Sequence, residues 1–337
     1  MQKIRVVVLS IFTLAVAAIV VFVVIAKRPP QYYVRRGIVF GTNVKIAYAT
    51  RKKNAKFVVD AMFDELRKLN GIFNPYEPGT DLYKLNHSNG KWMKVNSQLL
   101  SVLKYSINFA KETGGEFDPT LGKIIALWGF NTDDPRKWRV PTPAEISNAL
   151  KHVGYTNVEF KGNEVRLLNG VWVDLKGIAK GYAVDALLAM AKANDENSTG
   201  YVDVGGDIGI IGPKYGKQPW KISIQNPRGM PNSGISYVYL YKGSIATSGD
   251  HEKCVIVNGK RYYHTLNPKT GYPSDYFKSV TAISRDEVLS NAFDMAAMVG
   301  GPSKIEKWAS EFGVAYMAVN ENGKILTNSL WKDYENP

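Results

Sequence analysis

Reactive side chains are concentrated in three stretches of the sequence. The first is residues 174–181 (DLKGIAKG), the second combines residues 246–250 (ATSGD) with 264–271 (HTLNPKTG), and the third carries Ser290 and Asp294. A strand that ends and leads into a helix exposes free backbone amides, and a nearby carboxylate and lysine make it suitable for an anionic or nucleotide ligand. Residues four apart share one helix face, and Mg²⁺ needs only one or two protein oxygens plus substrate phosphates. These residue types therefore suit phosphate chemistry assisted by a cation.

Each of these residues, taken singly, also has a structural explanation. Asp294 suits a solvated helix position, His264 a hydrogen-bonded loop position, and Lys180 an exposed surface position. Residue type alone leaves both explanations open at each position.

Several functional classes are excluded by what the sequence lacks. The glycine-rich stretch 205–212 follows a strand pattern but runs into Pro213 and another strand-like segment, whereas a dinucleotide-binding turn must open a helix. The sequence contains neither a P-loop nor a Gly-x-Ser-x-Gly elbow. One cysteine and four histidines argue against a disulfide framework and against a transition-metal cluster. The formal net charge of +13 falls to +7 over residues 37–337, too moderate an excess to indicate nucleic-acid binding.

Periodicity predicts the elements that must position the reactive stretches. Alternation over residues 43–48 predicts a strand, and apolar residues at helical spacing predict helices over 54–69 and 98–112. A further helix is predicted over 178–193. Further strands are predicted at 158–160, 165–167, 171–174, 201–204, 220–224, 236–241, 254–257 and 278–283. Hairpin-spaced strands mixed with separate helices predict an α+β fold with antiparallel sheets and packed helices. A helix is predicted over 285–299, with Ser284 and Glu287 forming a capping box at its start.

The amino-terminal segment is predicted to anchor the chain in a membrane. Residues 6–26 form an uncharged apolar run of 21 residues, which as a helix would span about 30 Å, the thickness of a bilayer core. The run is too long for a signal-peptide core, and no cysteine is near it to accept a lipid. We therefore predict an uncleaved transmembrane helix and spacer over 1–36, followed by a single domain over 37–337.

The reactive stretches together resemble the ApbE family of FAD:protein FMN transferases. The resemblance rests on several segments that occur in family order after residue 37. They are 39–42 (VFGT), 76–86 (YEPGTDLYKLN), 114–130 (GGEFDPTLGKIIALWGF), 173–185 (VDLKGIAKGYAVD), 204–212 (VGGDIGIIG), 245–250 (IATSGD), 264–271 (HTLNPKTG) and 279–300. Any one segment is weak, but their combination is specific.

The resemblance implies an ApbE-like fold and a Mg²⁺-dependent activity. Family members transfer the FMN half of FAD to a threonine or serine hydroxyl of an acceptor protein and release AMP. By this resemblance, FAD would be bound by Phe40, Tyr76, Phe117, Asp118, Pro119, Asp174, Lys180 and Leu266. His264 would act as a base or as a partner of the reacting phosphate, and the Gly177 carbonyl would ligate the metal.

Two positions depart from the family pattern. Phe40 stands where the family usually has methionine. The closing helix of the family carries an aspartate and, four residues later, a threonine as metal ligands. Aligned on Gly300, this sequence has Ser290 and Asp294 at those places, so the resemblance implies a metal site in which the two roles are exchanged.

The resemblance also implies a location and a partner. Bacterial family members work outside the cytoplasmic membrane on flavoproteins of electron-transfer complexes, which favours an inner-membrane protein with an extracytoplasmic domain. Basic residues around the apolar run favour the opposite orientation, because four follow it and only two precede it. We expect the family orientation, an acceptor flavoprotein as partner, and no nucleic acid.

Two alternative functions keep the same pocket. Water in place of a protein hydroxyl would make the protein an FAD pyrophosphatase that releases FMN and AMP. Loss of the metal site would leave a membrane-tethered flavin-binding protein. Lys180 is expected to be an exposed residue that contacts FAD. Lys180→Ala is therefore predicted to weaken FAD binding or transfer and to leave the melting temperature nearly unchanged, because an exposed lysine contributes little to stability.

Overall fold

The computed structural model describes residues 31–230 and 233–337. The predicted transmembrane helix lies outside these residues. Within them, no helix is both long enough and apolar enough to cross a membrane.

An eight-stranded antiparallel sheet forms the centre of the fold, in the spatial order β1-β2-β6-β7-β10-β13-β14-β15. Its strands are β1 (Tyr33–Val39), β2 (Thr42–Ala49), β6 (Thr199–Val204), β7 (Asp207–Gly212), β10 (Ser244–Gly249), β13 (Phe277–Ser284), β14 (Ala315–Asn320) and β15 (Ile325–Thr327). All neighbouring pairs in this sheet run antiparallel, as expected from the hairpin-like spacing of the strand patterns.

Eight α-helices lie in the described parts of the chain. They are α1 (Ala55–Phe73), α2 (Asp81–Asn86), α3 (Ser97–Glu112), α4 (Gly122–Trp128), α5 (Pro143–Leu150), α6 (Lys176–Asn194), α7 (Glu287–Gly300) and α8 (Pro302–Phe312). Of these, α1, α6 and α7 pack directly against one face of the central sheet. The apolar stripe of α1 is buried together with that of α3, so the helical periodicity seen in the sequence corresponds to real core faces. The α+β prediction is confirmed.

Smaller sheets complete the fold. A two-stranded ribbon, β8 (Trp220–Gln225) and β9 (Gly234–Leu240), covers the other face of the central sheet through Ile224, Val238 and Leu240. A three-stranded sheet contains β3 (Met93–Lys94), β4 (Val158–Lys161) and β5 (Glu164–Leu167), and a hairpin contains β11 (Cys254–Val257) and β12 (Lys260–Tyr263). The α4–α5 region forms its own apolar cluster around Trp128.

Two predicted segments differ from the structure. Residues 33–36, assigned to the spacer, belong to β1 and pair with β2. Residues 171–174 form no strand beyond one isolated bridge from Trp172, because side-chain and loop groups take their backbone hydrogen bonds. The Asn86 side chain bonds both the N–H and the C=O of Val173, and the N–H of Asp174 donates to the Pro119 carbonyl.

The predicted capping box at the start of α7 is wrong. The Ser284 hydroxyl donates to the Asp286 carbonyl, and the carboxylate of Glu287 is buried without a hydrogen-bond partner among the described residues. A residue distant in sequence supplies the cap instead. The two carboxylate oxygens of Asp185, on α6, accept the N–H groups of Glu287 and Val288 at 2.8 and 2.9 Å. This cap joins α6 to α7 and also suits the helix dipole.

Asp185 is therefore expected to stabilise the fold as a cap. Asp185→Ala should lower the free energy of unfolding by about 2 kcal/mol, because two helix N–H groups lose a charged acceptor. Urea unfolding monitored by circular dichroism measures this change. Asp286→Ala is the matched control, since Asp286 precedes α7 but makes no capping bond, and its effect should stay within about 0.5 kcal/mol. Equal losses in both variants would contradict this assignment.

Candidate active site

A cavity of about 450 Å³ opens where several chain turns and helix ends meet. Its walls include the β1–β2 turn, the β6–β7 turn at Gly205, the 116–119 loop, the start of α6, the 264–266 segment and one face of α7. A volume of this size falls in the range of small-molecule and cofactor sites.

Most of the predicted site residues line this one cavity. Those that do so are Phe40, Phe117, Asp118, Pro119, Asp174, Gly177, Lys180, His264 and Leu266. They come from segments separated by more than 200 residues in sequence, so only the fold could bring them together. Tyr76, Ser290 and Asp294 do not reach the cavity surface.

The β1–β2 turn presents an aromatic ring to the cavity. Phe40 adopts a left-handed backbone conformation with φ of 56°, which is uncommon for a residue with a large side chain. Gly41 follows with φ of 69°, and a Cβ there would lie 2.8 Å from the Asp133 carboxylate. The left-handed conformation at Phe40 is unfavourable, and it places the Phe40 ring at the cavity wall.

Tyr76 lies behind Asp174 rather than in the cavity. Its hydroxyl donates to Asp174 Oδ2 at 2.6 Å, while Asp174 Oδ1 accepts the N–H of Lys176 at 2.8 Å. Burial, with the Asp174 charge adding to it, raises the pKa of Tyr76 well above its usual value. Tyr76 therefore stays protonated and fixes the orientation of Asp174.

Asp118 organises the loop beside the cavity. Its Oδ1 accepts both the N–H and the hydroxyl of Thr120, and its Oδ2 accepts the N–H of Tyr155 at 2.9 Å. Burial raises the pKa of Asp118, and these hydrogen bonds oppose that rise. With its oxygens already bonded, Asp118 shapes the cavity more than it offers free acceptors.

Lys180 forms an ion pair with a buried carboxylate. Its Nζ lies 2.6 Å from Asp207 Oδ2, and the Asp207 side chain is only 2% exposed, against 28% for Lys180. Burial alone would lower the pKa of Lys180, but the Asp207 and Glu252 carboxylates outweigh it and raise that pKa. Lys180 is thus a half-buried permanent cation at the cavity wall, and its expected exposed position was wrong.

His264 is a half-buried, neutral imidazole. Its Nε2 lies 3.7 Å from the Glu252 carboxylate, and its Nδ1 has no hydrogen-bond partner among the described residues. Burial lowers the pKa of His264, and Glu252 only partly opposes this. At neutral pH the ring therefore has a nitrogen able to accept a proton.

The cavity face of α7 differs by one residue from the face inferred from the sequence. Asn291 and Met295, four residues apart, line the cavity, and Met295 packs directly against Gly177. Ser290 turns toward the sheet, where its hydroxyl bonds that of Ser284 at 2.9 Å. Successive helix residues are rotated by about 100°, so the alignment on Gly300 chose a neighbouring face.

Asp294 lies just behind the cavity wall. Its Oδ1 accepts the hydroxyl of Ser248, a cavity-lining residue, at 2.8 Å. Its Oδ2 and the Oδ1 of Asn291 are buried without a partner among the described residues. Burial, with a further contribution from Asp207, raises the pKa of Asp294 well above its usual value.

Sequence reasoning missed several residues at the cavity. Glu116 lines it and is held by Lys269 at 2.6 Å and by Lys304, which ties the 264–271 segment and α8 to the cavity wall. Lys253 lines it and pairs with Asp133. The GGEFDP and HTLNPKTG segments contain Glu116 and Lys269, so their charges were visible, but their pairing depends on tertiary contacts.

Comparison with known proteins identifies the family. The sequence profile of the ApbE family matches residues 40–318. The chain belongs to the ApbE family. An FAD:protein FMN transferase of Haemophilus influenzae is 28% identical over 275 residues, which are 78% of this chain and 79% of that protein.

Solved structures of ApbE proteins share the fold. The crystal structure of an ApbE protein from Thermotoga maritima has a TM-score of 0.85 and 38% identity, covering 91% of this chain and all of that one. The flavin transferase ApbE from Vibrio cholerae has a TM-score of 0.80 and 25% identity, covering 91% of this chain and 100% of that one.

The Lys180–Asp207 pair yields a prediction about stability. Lys180→Ala should lower the free energy of unfolding by about 2 kcal/mol, because it leaves the buried Asp207 carboxylate unpaired. The figure is below that for a fully buried pair because Lys180 is partly exposed. The same variant should bind FAD more weakly, measured by quenching of flavin fluorescence.

A double-mutant cycle checks the origin of that loss. Combining Lys180→Ala with Asp207→Asn removes the unpaired charge. The free energy of unfolding of the double variant should therefore fall by less than the sum of the losses in the two single variants. Losses that add within about 0.3 kcal/mol would show that the two residues act independently.

Proposed function

We propose that this protein transfers the FMN half of FAD to a hydroxyl group of an acceptor protein. The observation that carries the proposal is the convergence of Asp174, Lys180 and His264, from three distant segments, on one cavity. Membership of the ApbE family and the FAD:protein FMN transferases among its relatives support this activity.

The reaction is a phosphoryl-group transfer. The hydroxyl oxygen of an acceptor threonine or serine attacks the phosphorus of the FMN half, and the bond from that phosphorus to the bridging oxygen of the pyrophosphate breaks. AMP leaves with that oxygen and the electron pair of the broken bond, and the hydroxyl proton passes to a base. Catalysis of such reactions is mostly positioning and stabilisation of phosphate charge.

The cavity residues suit these tasks. Lys180 holds a permanent positive charge that attracts the pyrophosphate, and Asp207 fixes its position. Apolar walls from Phe40, Phe117 and Leu266 suit flavin or adenine rings. Neutral His264 accepts the hydroxyl proton through an imidazole nitrogen.

The residues present also fit a Mg²⁺ ion. Asp294 Oδ2 and Asn291 Oδ1 are buried oxygens without partners among the described residues, and hard cations prefer oxygen ligands. No group of three or more His, Cys, Asp or Glu side chains in the described parts of the chain is arranged to hold a metal, so the substrate phosphates would complete the shell. We propose Asp294, Asn291 and the Gly177 carbonyl as ligands, with Asn291 replacing the earlier candidate Ser290. A bound Mg²⁺ would neutralise phosphate charge.

The apolar run over residues 6–26 supports a proposed location. We propose that it anchors the protein in the bacterial inner membrane, with the folded body on the extracytoplasmic side. The acceptor would then be a flavoprotein of a membrane electron-transfer complex, modified at a threonine or serine.

The central test is incubation of the full chain with FAD, Mg²⁺ and a candidate acceptor domain, followed by intact-mass analysis. We expect a mass increase of one FMN group on the acceptor and one equivalent of AMP. Free FMN and AMP without a modified acceptor would indicate a pyrophosphatase, and unchanged FAD would indicate a binding protein.

His264→Gln should slow transfer by about 100-fold or more while leaving FAD affinity nearly unchanged, because a proton acceptor acts in the transition state. Because the pKa of His264 is lowered, the imidazole is neutral at neutral pH and loses its ability to accept a proton only when acidification protonates it. The wild-type rate should thus stay level at pH 7–8 and fall below about pH 6.5, while the variant loses this fall. A wild-type rate that rises on acidification would contradict the assignment.

Asp294→Asn tests the metal site without changing side-chain volume. We expect transfer to fall by about 100-fold, with a higher Mg²⁺ concentration needed for half-maximal rate. Ser290→Ala is the matched control on the same helix and should stay within about twofold. Asn291→Asp adds an anionic ligand and should lower the Mg²⁺ requirement. Unchanged rate and Mg²⁺ dependence in Asp294→Asn would exclude Asp294 as a ligand.

A further inference from the structure

Strands β1, β2, β6 and β7 run between two ends of the folded body. At one end, here called the cavity end, the turns at Phe40–Gly41 and at Gly205 line the active-site cavity. At the other, here called the entry end, Gln31 leads into β1. The loops 50–54, 194–198 and 213–219 lie at this same end, because they follow or precede the opposite ends of the same strands.

Specific contacts tie these loops to the point of chain entry. The Tyr32 hydroxyl bonds Thr199 Oγ1 at 3.0 Å and accepts the N–H of Tyr215 at 2.9 Å. The hydroxyl of Thr50 donates to the Asp195 carboxylate at 2.5 Å. These hydrogen bonds hold the loops and the start of β1 together as one surface at the entry end.

The entry end carries an excess of positive charge. Its three loops hold five basic residues and two acidic ones; the basic residues are Arg51, Lys52, Lys53, Lys214 and Lys217. Over the described parts of the chain, none of the five forms an ion pair with a carboxylate. Tyr215 lies among them with 44% of its surface exposed and φ of 53°. Exposed tyrosine and unpaired cations suit the head-group region of a membrane.

We propose that the entry end is a membrane-facing surface that binds anionic lipid head groups, so that the cavity opens away from the bilayer. This inference rests on the anchoring proposed above. Only four residues lie between Ala26 and Gln31, so five Cα–Cα steps keep the entry end within about 17 Å of the end of the apolar run. Anionic head groups complement the loop cations at that range.

The orientation determines which acceptors can reach the site. β1 spans seven residues, so the cavity end would lie up to about 20 Å farther from the membrane than the entry end when the strand runs along the membrane normal. The acceptor hydroxyl must then belong to a domain that extends above the bilayer, rather than to a loop lying on its surface.

Photo-crosslinking of the full chain in lipid nanodiscs tests the orientation. A benzophenone amino acid replaces either Tyr215, at the entry end, or Met230, which is 79% exposed. Met230 follows Arg228, whose ion pair with Asp250 holds that hairpin tip at the cavity end. With phosphatidylglycerol in the disc, we expect lipid adducts from position 215 and none from position 230.

Charge reversal tests the lipid preference. Arg51→Glu with Lys53→Glu and Lys217→Glu should reduce adducts from position 215 by about fivefold or more in discs containing phosphatidylglycerol. Discs of phosphatidylcholine alone should give equally weak adducts with and without the changes. Lys104→Glu with Lys161→Glu and Lys324→Glu makes the same charge change outside the three loops and should have no effect.

Several results would overturn the proposal. The first is lipid adducts from position 230 as strong as those from position 215. The second is the absence of adducts from position 215 in a chain that resists carbonate extraction. The third is an adduct yield from position 215 that changes neither with lipid charge nor with the charge reversal. Release of the chain by carbonate extraction would show that the chain is not anchored in the membrane, and it would overturn the proposal as well. FMN transfer, assayed on the same discs, reports separately on the transferase: its loss with unchanged adducts would contradict only the catalytic proposal.

Discussion

The close approach of α6 to α7 is the constraint on which the active site depends. Gly177 and Gly181 lie one turn apart on the side of α6 that faces α7, and a Cβ at Gly181 would lie 2.7 Å from the Glu287 carbonyl. Asp185, one further turn along, caps α7. Because the glycines let the helices meet and the carboxylate fixes their register, Lys180 and Asn291 face the same cavity.

This packing concentrates charge that is costly to bury. Lys180 lies near the carboxyl groups of Asp207, Glu287 and Asp294, all three of which are buried. Burial raises the pKa of Glu287 and of Asp294, so these groups tend toward their neutral forms, while Asp207 pairs with Lys180. Oxygens buried without partners are unfavourable in a folded protein, and binding of a cation or phosphate group would relieve that cost. The region is thus built for a ligand rather than for stability.

The active-site residues illustrate how far local sequence can be interpreted. Asp174, Lys180 and His264 were identified from residue types and motif order, and the fold brings them to one cavity. Tyr76 carried the same family signal but lies behind Asp174, which only its 2.6 Å hydrogen bond reveals. On α7, an alignment one residue out of step was enough to select Ser290 in place of Asn291. A helix face changes with each residue, so sequence similarity without coordinates could not resolve it.

By itself, the sequence determined the elements and the class of chemistry. Periodic burial of apolar residues is a local property of strands and helices, so β2, α1 and α3 could be located from pattern alone. Tertiary structure decided which polar groups meet. Asp185 caps a helix about 100 residues away, Asp207 pairs with Lys180, and Asn86 holds the backbone at Val173. Hydrogen bonds and ion pairs act over a few ångströms between residues far apart in the chain, and no local pattern records which partners the fold will bring into contact.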